Sequence, residues 1–179
     1  MKLYIAGPIS GKSAYEVFEY FVERKKILRS WGYTVFNPMI AKGHLRTEKT
    51  FKAKDYKHPI STNRAIIGRD RWMVGQADVV FMDLTGAETV SIGSMMELAW
   101  AFELKKHIVL VIPKDNIHQH GMVLQAADIV FERTGEAMVY LKTLVEDVEV
   151  LKTLDEEVKV WDGEKASVWT GVVDWFRRK

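Results

Sequence analysis

Two acidic residues stand where a carboxylate could do chemistry, and the first along the chain is Asp70. It interrupts a helical pattern of apolar residues formed by Ile66, Ile67, Met73, Val74 and Ala77. A carboxylate on an apolar helix face must be paired, hydrogen-bonded or protonated, because burying a bare charge is costly. One interpretation is an ion pair with a nearby arginine, for which the candidates are Arg64, Arg69 and Arg71. The other is a carboxyl group of perturbed pKa in a cleft, suited to proton transfer.

Glu97 is the second acidic residue, and it lies in the stretch SIGSMMELAW over residues 91–100. Ser94 and Glu97 match the S-x-x-E capping box, which predicts a structural role at the start of a helix. The same helix start would face a ligand cleft, where Gly93 would admit a close approach. Two carboxylates at one cleft suit glycosidic-bond cleavage, since one can attack the sugar carbon while the other handles the leaving group's proton.

The loop GPISGKS over residues 7–13 is a third candidate site. Its two glycines allow the backbone to approach a ligand closely, and the helix amino terminus that follows favours anions. The loop has neither the glycine spacing of a Walker loop nor the third glycine of a dinucleotide fingerprint. An ordinary tight turn is therefore the alternative interpretation.

The elements that must position these residues alternate between strand and helix along the chain. Apolar runs predict strands over 2–6, 33–36, 79–84, 107–112 and 127–131. Helices are predicted from Ser13 to Gly32, from Ser61 or Thr62 to Ala77, from about Ser94 to Leu104, and from about Glu136 to Leu154. This alternation predicts an α/β fold, a flavodoxin-like or Rossmann-like sandwich with a parallel sheet of about five strands. Ligands of such sheets bind where loops leave the carboxyl ends of the strands.

Composition excludes several classes of protein and of site. The chain has 179 residues, of which 47% are hydrophobic and 28% charged, as in ordinary globular domains. It contains no cysteine, which excludes disulfides, thiolate metal sites and cysteine nucleophiles. A net charge of +2 gives nucleic-acid binding little support. With no signal-peptide pattern and no apolar run of membrane-spanning length, we expect a cytoplasmic protein that does not bind membranes.

Two further segments have distinctive patterns, one of basic residues and one of apolar residues. The run HLRTEKTFKAKDYK over residues 44–57 is basic, which is typical of a solvated loop and could otherwise attract an anionic ligand. Apolar residues recur at helical spacing between Ala166 and Arg178. We therefore predict a catalytic domain over residues 1–154 and a C-terminal extension over residues 155–179, which packs on the domain or on a partner subunit.

Three stretches together resemble the nucleoside 2-deoxyribosyltransferase superfamily, which includes 2′-deoxynucleoside 5′-phosphate N-hydrolases. They are YIAGPIS, RDRWMVGQADVVFMDLTG and SIGSMMELAWA. The resemblance covers roughly residues 2–112. Its most specific parts are the spacing from Asp70 to Ala77-Asp78 and the run from Ser91 to Glu97.

The resemblance implies a role for each matching position. The family's nucleophilic glutamate falls on Glu97, which would attack the anomeric carbon and form a covalent glycosyl-enzyme. Asp70 would contact the base or sugar and assist proton transfer, and Tyr4 would orient the nucleophile. The implied substrate-binding residues are Gly7, Pro8, Ile9, Ser10, Ser91, Gly93 and Ser94.

Ser91 bears on the substrate. Six residues before the nucleophile, transferases that use free nucleosides usually carry Asp, whereas the 5′-monophosphate hydrolases carry Ser. An aspartate would repel a phosphate, while a hydroxyl can donate to one with help from the nearby helix amino terminus. Ser91 therefore favours a nucleotide substrate, and Ser10 could be a second phosphate donor.

The resemblance thus implies an N-glycosidase that cleaves a (deoxy)ribonucleoside 5′-monophosphate through a glycosyl-Glu97 intermediate resolved by water. The alternatives are a nucleoside 2-deoxyribosyltransferase that exchanges bases and a non-catalytic nucleotide-binding module. A nucleic-acid-binding or scaffold protein is the least favoured interpretation. We expect no metal and no organic cofactor, a small-molecule nucleotide or nucleoside as substrate, and a homodimer or higher homo-oligomer.

Overall fold

The computed structural model describes the backbone of residues 1–161 and the side chains of residues 1–154. The chain divides into two compact units, Met1–Lys142 and Thr143–Lys179. The first unit contains the whole sheet, and the described part of the second is helical. The helix predicted between Ala166 and Arg178 lies outside the described residues. The predicted domain boundary after residue 154 stays a prediction.

A five-stranded, all-parallel sheet organises the first unit. Its strands are β1 (Lys2–Ala6), β2 (Thr34–Phe36), β3 (Val79–Asp83), β4 (His107–Val111) and β5 (Ile129–Phe131). The strand order β2-β1-β3-β4-β5 is that of flavodoxin-like, doubly wound folds. The predicted fold class is therefore confirmed. In this order the chain switches direction between β1 and β3, where such sheets form a ligand crevice beyond the carboxyl ends of the strands.

Five α-helices connect or follow the strands within the described residues. They are α1 (Ala14–Ser30), α2 (Asn63–Gln76), α3 (Ile92–Glu103), α4 (Gly121–Gln125) and α5 (Thr134–Trp161). Short 3-10 helices over Gly43–Thr47 and Pro59–Ser61, and helix α4, were not predicted from the sequence. No helix among the described residues is both long enough and apolar enough to cross a lipid bilayer.

Local side-chain chemistry explains where the first two helices begin. Ser13 and Glu16 form both halves of the predicted capping box at α1. Thr62 caps α2 by accepting a 3.2 Å hydrogen bond from the Ala65 backbone amide. After α1, Gly32 adopts a φ of 99°, a left-handed conformation that glycine tolerates better than any other residue.

Helix α3 starts earlier than the sequence pattern indicated. Its N-cap is Ser91, whose hydroxyl accepts a hydrogen bond from the Ser94 amide, and its first helical residue is Ile92. Glu97 therefore lies in the second turn, beyond the reach of a capping box. The interpretation of Ser94 and Glu97 as a capping box is wrong, so the position of Glu97 needs another explanation.

The core lies along the central strands of the sheet. All five residues of β3 and residues 3–6 of β1 are buried, as expected for strands covered on both faces. A cluster of buried residues joins these strands to α2 and α3 through Met73, Val74, Leu98 and Ala101. The faces of α2 and α3 that contact this core also carry Asp70 and Glu97. Packing of the core thus fixes both carboxylates.

Candidate active site

A cavity of about 330 Å³ opens beyond the carboxyl ends of β1, β2 and β3, within the volume range of small-molecule sites. The loops that follow these strands and the first turns of α3 form its walls. Asp70 and Glu97 both line it. So do all the residues predicted to bind substrate: Gly7, Pro8, Ile9, Ser10, Ser91, Gly93 and Ser94.

Glu97 is held by a residue of the first strand. The Tyr4 hydroxyl donates a 2.6 Å hydrogen bond to Glu97 Oε1. Tyr4 is fully buried and Glu97 is 6% exposed, so packing holds both side chains. Because one carboxylate oxygen is engaged by Tyr4, the other is left to face the cavity or a ligand.

Burial changes the acidity of Glu97. Loss of solvent is the largest cause, and together with the nearby charge of Asp70 it raises the pKa of Glu97 from 4.5 to about 8. The hydrogen bond from Tyr4 and the charge of Lys42 act in the opposite direction. At neutral pH Glu97 therefore retains a proton that an exposed glutamate would have lost.

Asp70 is also buried, at 7% exposure. Two cations lie near it: Lys42 Nζ is 3.8 Å from Oδ2, and Arg69 Nε is 3.8 Å from Oδ1. Burial raises the pKa of Asp70, and the charges of Lys42 and Arg69 lower it. The structure thus combines the two interpretations left open by the sequence, because Asp70 is near an arginine and also lines the cavity.

Lys42 was missed by sequence reasoning. It lies beyond β2, at the N-cap position of the 3-10 helix Gly43–Thr47. Its side chain is only 6% exposed and lines the cavity. The signal available in the sequence was Asn37-Pro38, which marks the end of β2 as one of the strand exits. The course of the chain from there to Lys42 depends on the local backbone and was not evident from the sequence.

His118 and Asn116 support the start of α3, and neither residue was predicted from the sequence. The Ser91 backbone amide donates a 2.8 Å hydrogen bond to His118 Nε2. His118 Nδ1 is 3.0 Å from Asn116 Oδ1, and Asn116 Nδ2 donates to the Leu84 carbonyl oxygen at 2.7 Å. An amide oxygen only accepts, so Nδ1 of His118 carries a proton and donates it to Asn116 Oδ1. Nε2 accepts from the Ser91 amide and carries no proton, so the His118 ring is neutral. Burial lowers the pKa of His118, which favours this neutral state.

The basic loop, residues 44–57, forms part of the cavity wall. The Gly11 amide donates to the Phe51 carbonyl oxygen at 3.0 Å, and the Phe51 amide donates to the Lys12 carbonyl oxygen at 2.8 Å. These bonds attach the loop to the segment that follows β1. The loop contributes Leu45, Phe51, Lys52, Ala53 and Tyr56 to the cavity. The segment is therefore a wall of the site as well as a solvated surface.

A family model described as nucleoside 2-deoxyribosyltransferase matches residues 3–154. The chain belongs to this family. It is accordingly an enzyme of the nucleoside 2-deoxyribosyltransferase type, and its substrate is a small nucleoside or nucleotide. The family match confirms the resemblance noted in the sequence. No curated protein matches the sequence.

Two solved structures with TM-scores above 0.5 show the same fold at low sequence identity. A 2-deoxyribosyltransferase from Bacillus psychrosaccharolyticus is 19% identical, with a TM-score of 0.56 over 77% of this chain and 90% of its own. A 2-deoxyribosyltransferase from Leishmania mexicana is 15% identical, with a TM-score of 0.52 over 79% and 97% of the two chains. A CMP N-glycosidase from Clostridium botulinum is 16% identical, with a TM-score of 0.47 over 80% and 98%.

Proposed function

We propose that this enzyme hydrolyses the N-glycosidic bond of a (deoxy)ribonucleoside 5′-monophosphate through a covalent glycosyl-Glu97 intermediate. The observation that carries the proposal is the 2.6 Å hydrogen bond from Tyr4 to a buried glutamate that lines the cavity. A carboxylate fixed in this way can be held in line with a sugar carbon, and such positioning accounts for much of an enzyme's rate enhancement.

The reaction proceeds in two displacements. The ionised Glu97 attacks the anomeric carbon with the oxygen that Tyr4 does not bind, and the electron pair of the C–N bond passes to the base. Water then adds to the same carbon, gives one proton to the Asp70 carboxylate that the first step leaves behind, and displaces the Glu97 carboxylate, which yields the free sugar phosphate. Tyr4 acts as a positioning residue, because it holds Glu97 without contacting the sugar.

Asp70 is suited to deliver the proton that the departing base requires. Its Oδ1 is buried and has no hydrogen-bond partner among the described residues, so the group has an unused oxygen. Burial raises the pKa of Asp70 above its ordinary value, which is the direction that a proton donor requires, and the charges of Lys42 and Arg69 oppose it. In this proposal Asp70 protonates the base directly or through one water, while Glu97 reacts as the anion.

The start of α3 supports a 5′-phosphate in the substrate. Ser91 and Ser94 line the cavity there, and their hydroxyl oxygens are 2.9 Å apart. Only one hydroxyl can donate within this pair, so the other can direct its proton to an anion. Amide groups in the first turn of a helix also favour a phosphate. Lys52 lines the same cavity from the basic loop and adds a positive charge.

Base exchange is the second candidate function, and the description of the matching family favours it. Both reactions share the first displacement and differ in whether water or a second base accepts the sugar. The acceptor therefore separates a hydrolase from a transferase.

The test is incubation with matched nucleosides and 5′-monophosphates, with and without a different free base, followed by chromatography. The proposal predicts release of base and sugar phosphate from monophosphates, at a rate that an added base leaves unchanged. Formation of the exchanged nucleoside or nucleotide would identify a transferase. Full activity of Glu97→Ala on the same substrate would refute the mechanism.

We also propose a homodimer or higher homo-oligomer, since the resemblance implies that a neighbouring subunit closes the pocket. The exposed aromatic side chains of Trp72 on α2 and Phe102 on α3 support an interface. Light scattering coupled to gel filtration tests this proposal, and a monomer at assay concentration would contradict it. The cytoplasmic location stays a prediction.

A further inference from the structure

Lys42 is a buried cation that has one long ion pair and lines the cavity. Its side chain is 6% exposed, and its nearest recorded anionic group is Asp70 Oδ2 at 3.8 Å. That distance exceeds a normal hydrogen bond, so Asp70 is at most a weak acceptor for one N–H group of Lys42. Burying an ammonium group is costly without good partners, so the N–H groups of Lys42 need an acceptor. Because Lys42 lines the cavity, a ligand can supply that acceptor.

The backbone before Lys42 is held in an unfavourable conformation. Ala41 adopts a φ of 62°, in the left-handed region that residues other than glycine rarely occupy. The Met39 amide donates to Asn37 Oδ1 at 2.9 Å, and the Lys42 amide donates to the Met39 carbonyl oxygen at 3.1 Å. Such strain persists where the surroundings enforce it, and it concentrates at functional sites. Here the turn directs Lys42 into the cavity.

Charge decides which part of the substrate Lys42 can contact. The sugar carbon becomes cationic in the transition state, so an ammonium beside it would slow the reaction. The proposed phosphate contacts are Ser91 and Ser94, whereas Lys42 lies beside Asp70, the proposed proton donor to the base. The base gains negative charge as the C–N bond breaks, and its neighbourhood is where a cation helps. The base is therefore the favoured partner of Lys42.

We infer that Lys42 is a further catalytic residue, which donates a hydrogen bond to an oxo oxygen of the departing base. This inference rests on the proposed function and deepens it by naming a class of base. As the C–N bond breaks, its electron pair spreads through the ring onto the oxo oxygen, where Lys42 stabilises the charge. Lys42 keeps its own protons, and Asp70 supplies the proton that the base finally takes up. Bases that carry an oxo group are accordingly preferred over adenine, which has none.

The test compares leaving groups of different acidity. The rate of a single turnover is measured for the best oxo-base substrate and for its analogue with a halogenated, more acidic base. A more acidic base carries the charge without help, so loss of an electrostatic donor should matter less for it. Lys42→Met should slow the ordinary substrate by about 100-fold, a typical loss for one such donor, and the halogenated one by less than about 10-fold.

Two control variants distinguish loss of the positive charge at Lys42 from loss of the folded structure. Lys42→Arg retains a donor and should recover part of the lost rate on the ordinary substrate. Lys26→Met removes an exposed lysine of α1 that does not line the cavity, and should leave both rates unchanged. Thermal unfolding of each variant shows whether the fold is intact.

The outcomes distinguish this inference from the proposed function. Equal losses on both substrates, or a loss confined to KM, would overturn the role of Lys42 while leaving N-glycosidic cleavage in place. A wild-type preference for adenine would also overturn it. If the wild-type enzyme releases no base from any nucleoside or nucleotide, the proposed function fails, and this inference fails with it.

Discussion

Replacement of Glu97 by glutamine should stabilise the folded protein at alkaline pH while it abolishes activity. Glutamine has the same shape and still accepts the hydrogen bond from Tyr4, but it carries no charge to bury. The folded protein binds a proton on Glu97 up to a pKa of about 8, whereas an unfolded chain releases it near 4.5. Between these values the folded state holds more protons than the unfolded state, so its stability falls as pH rises.

The magnitude follows from the two pKa values. A difference between 4.5 and about 8, at about 1.4 kcal/mol per pH unit, gives a maximum near 5 kcal/mol for a fully buried group. Relaxation of the site reduces this maximum, and we expect Glu97→Gln to exceed the wild type by about 2–4 kcal/mol at pH 9. Near pH 4 the two proteins should be almost equally stable, since Glu97 is then protonated in both states.

Chemical denaturation of both proteins from pH 4 to pH 9 measures this difference. Glu103→Gln is the matched control, because Glu103 is exposed on the same helix and its replacement should change stability little at any pH. A free energy of unfolding for Glu97→Gln that runs parallel to the wild type across the whole range would refute the reasoning. That result would mean that Glu97 is ionised in the folded protein at little free-energy cost.

Three further predictions concern activity and the cavity wall. The kcat/KM of the wild type should follow a bell-shaped dependence on pH, because attack requires ionised Glu97 and departure of the base requires protonated Asp70; a rate independent of pH between 6 and 9 would contradict this. Tyr4→Phe removes a hydrogen bond that lowers the pKa of Glu97, so the limb of the pH profile set by Glu97 should move to higher pH and kcat should fall by about 10–100-fold. Gly7→Ala would place its Cβ 2.9 Å from the Asp83 carbonyl oxygen, and should lower the free energy of unfolding by about 1–3 kcal/mol in denaturant titrations.

The strands and the main helices were predictable because their signals are local. Continuous apolar runs marked the central strands, and the box of Ser13 and Glu16 marked the start of α1. The start of α3 was misplaced because Ser91 and Ser94 are three residues apart and either hydroxyl could cap a helix. The structure selects Ser91, whose amide is also held by His118 from a distant loop. That contact has no signature in the local sequence.

Asp70 was recognisable as a site residue because a charge on an apolar helix face breaks a periodic pattern. Glu97 stood out through its neighbours and through the family resemblance. Lys42 had no comparable signal, since it follows an irregular turn whose course depends on the left-handed conformation of Ala41. Loop residues reach the cavity through tertiary packing, so the cations of this site became visible only with the fold.

The most direct test of the proposed mechanism is a search for the glycosyl ester on Glu97. Wild-type enzyme is mixed with the monophosphate that it cleaves, quenched in acid during the first turnover, digested and analysed by mass spectrometry. The mechanism predicts that the peptide containing Glu97 gains the mass of the sugar phosphate less one water, and that the same peptide of Glu97→Gln does not. Complete release of base in the first turnover with the adduct on a different residue would contradict it.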